Sequence, residues 1–433
     1  MGSFISSIES TTSTITVDET LKRYYTVSGK IPWNYAQSLQ YSDISDPNTE
    51  KILEYCVWED YRQKNSYKNC IAKDSDFYLS IENKYNLEDL QRSIKHFTSS
   101  DKKEYPWHLD MMNQNYKKML TNKLSIDEKK VCALVLSYYT GKKDNSDRSS
   151  RNESILIRGQ NLFTKVEKWN DGKMFYPVLY YLSKALANLP FYWGYTVRCV
   201  DMTPECLSDY EPGTVITWLQ FSSSKIGKEP APYFSKRNTW FYIYSFSSRE
   251  ISQFSIYSSE KEALYSPFSH FLIFKKEYDA NKKRAKIYMR QIEIGLYINN
   301  IVWVDDNILN ANWENKGLME KAYSIKKNLK IIPKITTECA LAFMKSFKPF
   351  IIGGTVKYKI IADMNRTNES EPHNAGARLV KYMQDNNFNN IEIMIFTSST
   401  EKAKTELKKL GVNMNDYIKV TTSSFDAIQY LTS

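Results

Sequence analysis

What the chain does not contain removes several classes at once. Its six cysteines, Cys56, Cys70, Cys132, Cys199, Cys206 and Cys339, form no C-x-x-C pair, and there are only four histidines. A zinc site built from Cys and His is therefore not expected. No stretch reaches the roughly 20 consecutive apolar residues that a membrane helix needs. No apolar h-region opens the chain, so no signal peptide is expected either. The cysteines then read as reduced thiols of a cytoplasmic protein. No long Lys/Arg run and no internal repeat occur, and nucleic acid is not an expected partner.

What is present suits a folded protein of several domains. At 433 residues the chain has room for two or three. Hydrophobic residues make up 42% and charged residues 25%, so real cores can be buried. Aromatics reach 14%, with 32 tyrosines, which favours β-rich segments. The net charge of +10 suits an anionic ligand such as a dinucleotide or an ADP-ribose chain, or serves solubility alone.

Four segments are expected. Residues 1–20 are a Ser/Thr-rich tail. Its Met1-Gly2-Ser3-Phe4-Ile5-Ser6 fits the myristoylation pattern M-G-x-x-x-[ST]. No basic cluster follows as a second anchor, so the pattern is read as a chance match and Gly2 as unlipidated. Residues 21–100 form a first unit, with a helix near Asn48–Asp60 and a strand over Asp76–Glu82. Residues 101–296 form a second. Ser125 and Glu128 make a capping box before an apolar helix over Val131–Tyr138. An amphipathic segment follows over Tyr176–Asn188. Strands then dominate: Gly194–Val200, Val215–Phe221, Thr239–Phe246, Gln253–Ser258 and Phe268–Phe274. Lys275–Lys286 reads as a charged joint. Residues 297–433 alternate strand and helix (strands Ile301–Val304, Tyr358–Ala362, Ile391–Phe396, Tyr417–Val420), which means a parallel sheet covered on both faces. The fold class expected is thus multidomain α+β and α/β.

Three short segments of the second unit belong together. One is a strand carrying Arg198. Another runs Trp218 to Ser224 and ends in Ser222-Ser223-Ser224. The third spans Ile251–Phe268 and contains Glu260-Lys261-Glu262. Each alone has a plain structural reading, as an edge charge, a loop and a solvated turn. Their order and placement resemble the arginine-specific mono-ADP-ribosyltransferases of the Arg–Ser–Glu-x-Glu class, over roughly Tyr105–Phe274. Tyr139-Thr140-Gly141 resembles that family's Y-T-G helix end. Ile243, Ser245, Ile251, Ser255, Glu260, Glu262, Leu264 and Pro267 meet its I-x-S…I-x-x-x-S…E-x-E-x-L-x-x-P string. The resemblance implies a β-sandwich-type core preceded by helices. It implies NAD as substrate, proteins bearing arginine as acceptors, and release of nicotinamide.

The chemistry agrees with that assignment. Breaking the bond between nicotinamide and ribose passes through an oxocarbenium-like state, as in glycoside hydrolysis. The enzyme must hold NAD and stabilise developing positive charge. By the resemblance, Glu262 bonds the nicotinamide ribose 2′-OH and faces the cation. Arg198 clamps the pyrophosphate. Ser222 fixes the ribose and positions Glu262, with Ser224 in the same shell. Glu260, two residues from Glu262, orients the acceptor guanidinium and takes its proton. Arg198, Ser222, Glu260 and Glu262 are expected to line one cleft, with segment Lys225–Asn238 as a loop over the nicotinamide. Two alternatives stay open: an NAD glycohydrolase, and a non-enzymatic NAD or ADP-ribose sensor.

The flanking units carry resemblances too. Trp33 and Tyr78-Leu79-Ser80-Ile81-Glu82-Asn83 resemble a WWE domain, which implies ADP-ribose-containing ligands, with Asn86 where that family has Gln. The third unit resembles a receiver (flavodoxin-like) domain, a doubly wound five-stranded parallel sheet. Asp305, Asp306 and Asp363 fall where such a domain holds Mg²⁺, Thr397-Ser398 where it has a hydroxyl, and Lys419 where it has its Lys. Val420 stands where the family has Pro. An active receiver, a degenerate one, and an NAD-handling domain of the TIR type with Glu369 as its working residue all remain open.

Overall fold

A computed structural model describes residues 24–26, 85–98, 103–120, 124–141, 172–212, 215–218, 221–255, 258–267, 269–293, 299–308, 310, 312–326, 329–352, 357–388 and 390–433. The expected tail with Gly2, nearly all of the WWE-like unit and the charged loop at 142–151 lie outside them.

The chain first builds a helical layer from α1 (Leu87–Phe97), α2 (Glu104–Asn115), α3 (Ile126–Thr140) and α4 (Gly172–Ala187). The Ser125–Glu128 capping box forms in both directions at 3.0 and 3.2 Å. A second box opens α1, where Asn86 and Asp89 exchange bonds of 2.9 and 3.0 Å. Asn86 is therefore spent on a helix cap, which corrects its expected place in a ligand site. Leu90, Ile94, Leu134, Val135, Val178 and Leu182 share one core. The boundary expected at residues 100/101 consequently runs through a single packed layer: α1 belongs with the helices that follow it.

The strands form one eight-stranded sheet: β1 (Tyr24–Thr26), β2 (Phe191–Val200), β3 (Val215–Trp218), β4 (Ser222–Ile226), β5 (Thr239–Glu250), β6 (Glu262–Tyr265), β7 (Ser269–Asp279) and β8 (Arg284–Ile292). Their order is β1-β3-β7-β8-β5-β2-β4-β6, and β6 also pairs with the end of β5. Trp218 on β3 lies 5.6 Å from Phe241 on β5 and 6.1 Å from Tyr265 on β6. Those strands are not neighbours of β3, so the sheet bends over and its two halves face each other across an aromatic core. This gives the expected sandwich-type packing within one continuous sheet.

Two expectations are corrected here. Lys275–Lys286 is a β-hairpin, not a joint between domains. Lys275–Asp279 continue β7, Lys283 turns at φ 47°, and Arg284 opens β8. Within the expected strand Gln253–Ser258, the chain instead makes a 3₁₀ turn at Ser252–Phe254.

The last unit is a five-stranded parallel sheet of β9 (Asn299–Val304), β10 (Leu329–Lys334), β11 (Lys357–Asp363), β12 (Glu392–Phe396) and β13 (Ile418–Thr421), in the order β10-β9-β11-β12-β13. After the short helix α5 (Pro204–Ser208) of the preceding unit, between and after these strands run α6 (Lys316–Ile325), α7 (Thr337–Ile352), α8 (Ala375–Asp385), α9 (Thr400–Lys409) and α10 (Ser424–Thr432). This is the doubly wound order with a switch point between β9 and β11. Strand β10 is tolerated despite Pro333 because it is the sheet edge, where a missing N–H costs no ladder bond. The unit is not tethered loosely. Leu272 and Ile292 of the first sheet share a core with Val302, Ile360 and Phe343. Phe191, Trp193 and Phe246 share another with Trp303 and Trp313.

Candidate active site

The motif segments become neighbours through strand pairing. β2, β4 and β6 are consecutive in the sheet, so the Arg, the serines and the E-x-E pair come from three adjacent strands. β2 and β4 pair Val197 with Lys225. One further step of that register sets Arg198 level with Ser224. The Arg198 guanidinium donates to the Ser223 carbonyl and lies 5.6 Å from the Trp218 ring. It thereby ties β2 to the backbone of the serine strand. The three serines do not end a strand, as expected from the sequence. They open one of their own, after β3 has stopped at Trp218.

Side-chain parity refines the picture. β4 and β6 pair Ser222 with Tyr265, Ser224 with Ala263 and Lys225 with Glu262. Residues two apart share a pleat face. Arg198, Ser222 and Ser224 therefore share one face, with Thr196 and Tyr265. Glu262 falls one step off, on the face of Lys225. It is the first residue of β6, entered from Lys261 at φ 47°, and so sits at the rim of the sheet. A single wall carrying all four side chains, expected from the sequence, is not what the ladder gives.

The face under Arg198 is lined with buried hydroxyls. Ser222 and Ser224 are each 5% exposed, and Thr196 and Tyr265 are fully buried. Thr196 Oγ1 and Tyr265 Oη are 2.8 Å apart, and Ser224 Oγ donates to the Ala263 carbonyl at 3.5 Å. Burial pushes the Tyr265 hydroxyl far above the ordinary tyrosine range, against hydrogen bonds from Thr196, Ser245 and Ser224 that pull it down. Tyr265 is thus the centre of a network that takes in Thr196, Ser224 and Ser245. Sequence reasoning missed it, because its partnership depends on register.

Glu260 closes a 3₁₀ turn, Ser258–Glu260, just before β6. It is half-buried, and that burial raises its carboxyl above the usual range. A more basic carboxylate is better suited to accept a proton. The 227–238 connection carries a second 3₁₀ turn at Pro232–Phe234, with Tyr233 77% exposed. An unhindered aromatic here is available to a ligand or a partner.

The other expected site lies at the C-terminal edge of the parallel sheet, and only part of it assembles. Asp305 follows β9 directly and Asp363 ends β11, its neighbour. Burial, then the charge of Asp305, raises the Asp363 carboxyl to about 7. Asp306 turns away, its Oδ2 accepting from the Thr367 N–H at 2.8 Å and the Thr367 hydroxyl at 2.6 Å. Asp305 accepts from the Asn307 N–H and the Trp313 indole, each at 2.9 Å. Among the described residues no three His, Cys, Asp or Glu side chains are arranged to hold a metal ion. The three carboxylates expected to hold Mg²⁺ thus come together in part: Asp363 lies beside Asp305, and Asp306 is engaged by Thr367. Lys419 is corrected too. It pairs with Met394, two residues below the edge, and its amine lies 3.7 Å from Glu392. Glu369 is enclosed by Arg366 and Arg378, each at 2.6 Å. An acid so fully paired holds a loop together and is not free for chemistry.

Comparison with known proteins fits the strand-borne motif. The model of the NAD:arginine ADP-ribosyltransferase family matches residues 64–294, more than half of the chain. The chain belongs to that family. It is 37% identical over 109 residues to Mav of Mycobacterium avium (strain 104), which carries the name of an NAD(+)–arginine ADP-ribosyltransferase. That match takes in 25% of this chain and 13% of Mav, so it spans a small part of that relative. Among solved structures, a truncated form of the type III effector XopAI from Xanthomonas axonopodis pv. citri is similar at 17% identity and a TM-score of 0.37, over 52% of this chain and 100% of that one. The ADP-ribosyltransferase HopU1 of Pseudomonas syringae pv. Tomato DC3000 is similar at 16% and 0.32, over 51% and 97%.

Proposed function

We propose that the chain transfers a single ADP-ribose from NAD to arginine side chains of proteins, releasing nicotinamide. The observation that carries this reading is the delivery of Arg198, Ser222 and Glu262 by three consecutive strands, in a chain of the arginine-specific family.

In the reaction the ribose C1′–nicotinamide bond breaks and its electron pair leaves with nicotinamide as a neutral molecule. A guanidinium nitrogen of the acceptor then bonds to C1′ and gives up a proton. Glu262, at the rim of the sheet, reaches round the strand end to the ribose 2′-OH and stabilises the developing cation. Arg198 spends one donor on Ser223, and its remaining donors grip the pyrophosphate. Ser224, held by the Tyr265 network, and Ser222 on the same face fix the nicotinamide ribose. Glu260, with its raised carboxyl, docks the acceptor guanidinium and takes its proton.

The test is incubation of the whole chain with labelled NAD and a mixture of proteins, then mapping of modified side chains by mass spectrometry. Label on arginine with stoichiometric nicotinamide release is the expected result. Nicotinamide release without any modified protein would replace this reading with an NAD glycohydrolase, and NAD binding without either with a sensor.

A further inference from the structure

A buried cation lies where the first sheet meets α6 of the α/β unit, on the strand next to the one that Glu262 opens. Arg249, near the end of β5, is 2% exposed. Its backbone pairs with Phe191 of β2 on one side and Leu264 of β6 on the other. Two residue pairs further on, the Ile251 N–H donates to the Glu262 carbonyl at 2.9 Å. Arg249 is thus built into the ladder that seats Glu262.

Its side chain packs against the α/β unit. The guanidinium lies 3.4 Å from the Phe191 ring centre and 5.2 Å from that of Tyr323 on α6. The two rings meet edge to face at 5.6 Å. Glu320, one turn before Tyr323, accepts from the Phe191 N–H at 2.7 Å. Nη1 of Arg249 has no hydrogen-bond partner among the described residues. Burial accordingly pulls the guanidinium down to about 10, partly countered by Tyr323 and Glu320. An arginine held by rings instead of a carboxylate is costly to desolvate and gains from two aromatic faces. Lysine, with a compact and strongly hydrated charge, does not reproduce a planar stack.

We propose that Arg249 is a positioning residue for Glu262, and that α6 of the α/β unit supplies half of its clamp. This makes the α/β unit a working part of the transferase, and it rests on the reading of Glu262 given above. Unclamping Arg249 frees the end of β5, loosens the two-residue pairing with β6, and lets Glu262 drift. A misplacement of about 1 Å at a reacting group costs on the order of 10²-fold in rate.

Three single variants of the full chain and one double variant test this: Arg249→Met, which keeps bulk and removes charge; Arg249→Lys; Tyr323→Leu, which lies in the α/β unit; and Arg249→Met combined with Tyr323→Leu. Two readouts are taken. Hydrogen exchange over 249–265 reports the β5–β6 pairing with no reference to activity. Turnover with NAD and an arginine analogue gives kcat and KM separately. Arg249→Met and Tyr323→Leu are expected to exchange faster there, and to lose kcat by on the order of 10²-fold with KM for NAD changed by less than about threefold. Arg249→Lys recovers only part, and the double variant is no worse than Arg249→Met alone. Folded variants with wild-type exchange and wild-type kcat overturn the proposal, as do additive losses in the double variant. If the wild-type chain has no activity on NAD, the proposed function falls, and unchanged exchange in the variants overturns the clamp separately.

Discussion

Replacing the two glutamates one at a time separates their roles, because they sit in different surroundings. In the proposed reaction Glu262 acts on the ribose, so Glu262→Gln keeps size and loses charge beside the forming cation. Removing one preorganised contact of this kind typically costs about 10²–10³ in rate, and transfer to arginine and hydrolysis of NAD should fall together. Glu260, in the same proposal, acts only on the acceptor. At an effective dielectric of about 20, two unit charges 4 Å apart interact by about 4 kcal/mol, while exposed pairs contribute about 1 kcal/mol or less. Glu260 is half-buried, which places its contact with an acceptor guanidinium between these limits. At about 1.4 kcal/mol per factor of ten, Glu260→Gln should lower transfer roughly 10- to 100-fold and leave hydrolysis nearly intact. The pH profile adds an independent sign. The carboxyl of Glu260 is raised and acts when ionised, so wild-type transfer should climb with pH through a range above the ordinary carboxylate one. Glu260→Gln should lack that limb. Single-turnover assays with an arginine analogue and with water alone give both rates for each variant. Equal proportional loss of both reactions in Glu260→Gln would refute the division of labour, and full transfer by Glu262→Gln would remove Glu262 from the site.

Other expectations follow from the same geometry. Arg198→Lys should lower kcat/KM for NAD about 10-fold or more, since a lysine cannot brace the Ser223 carbonyl and a pyrophosphate together; steady-state kinetics at saturating acceptor read this. Asp363→Asn should stabilise the protein above pH 7 and leave it unchanged near pH 4. The native carboxyl sits at about 7, so ionisation costs the folded state increasingly from the unfolded value near 4 up to 7, by at most about 4 kcal/mol. Thermal melts across that range check it, and a destabilised variant at pH 8 would contradict it. Ser125→Ala should cost about 1 kcal/mol through loss of the α3 cap, read by denaturant unfolding. Tyr265→Phe should unfold about 1 kcal/mol more easily, with a parallel fall in turnover, because Thr196 loses its buried partner.

The sequence by itself determined the family motif and the elements with strong local signals. The strand-borne Arg198, the serine run and Glu260-Lys261-Glu262 were readable because their chemistry needs those residue types in that order. The Ser125–Glu128 cap and the alternation of strands and helices after residue 297 were legible because capping and 3.6- or 2-residue periodicity are local properties. Non-local pairing decided the rest. Lys275–Lys286 is charged enough to read as a linker, and only its pairing with neighbouring strands makes it a hairpin. Leu329–Lys334 contains Pro333 and becomes a strand because it lies at a sheet edge. A shift of one residue in register exchanges the two faces of a strand, so no sequence pattern could set Glu262 level with Lys225, or Tyr265 beneath the serines. Arg249 looked like any charged residue beside Glu250. Its place between Phe191 and Tyr323, 74 residues away in the chain, exists only because the second sheet packs against the first.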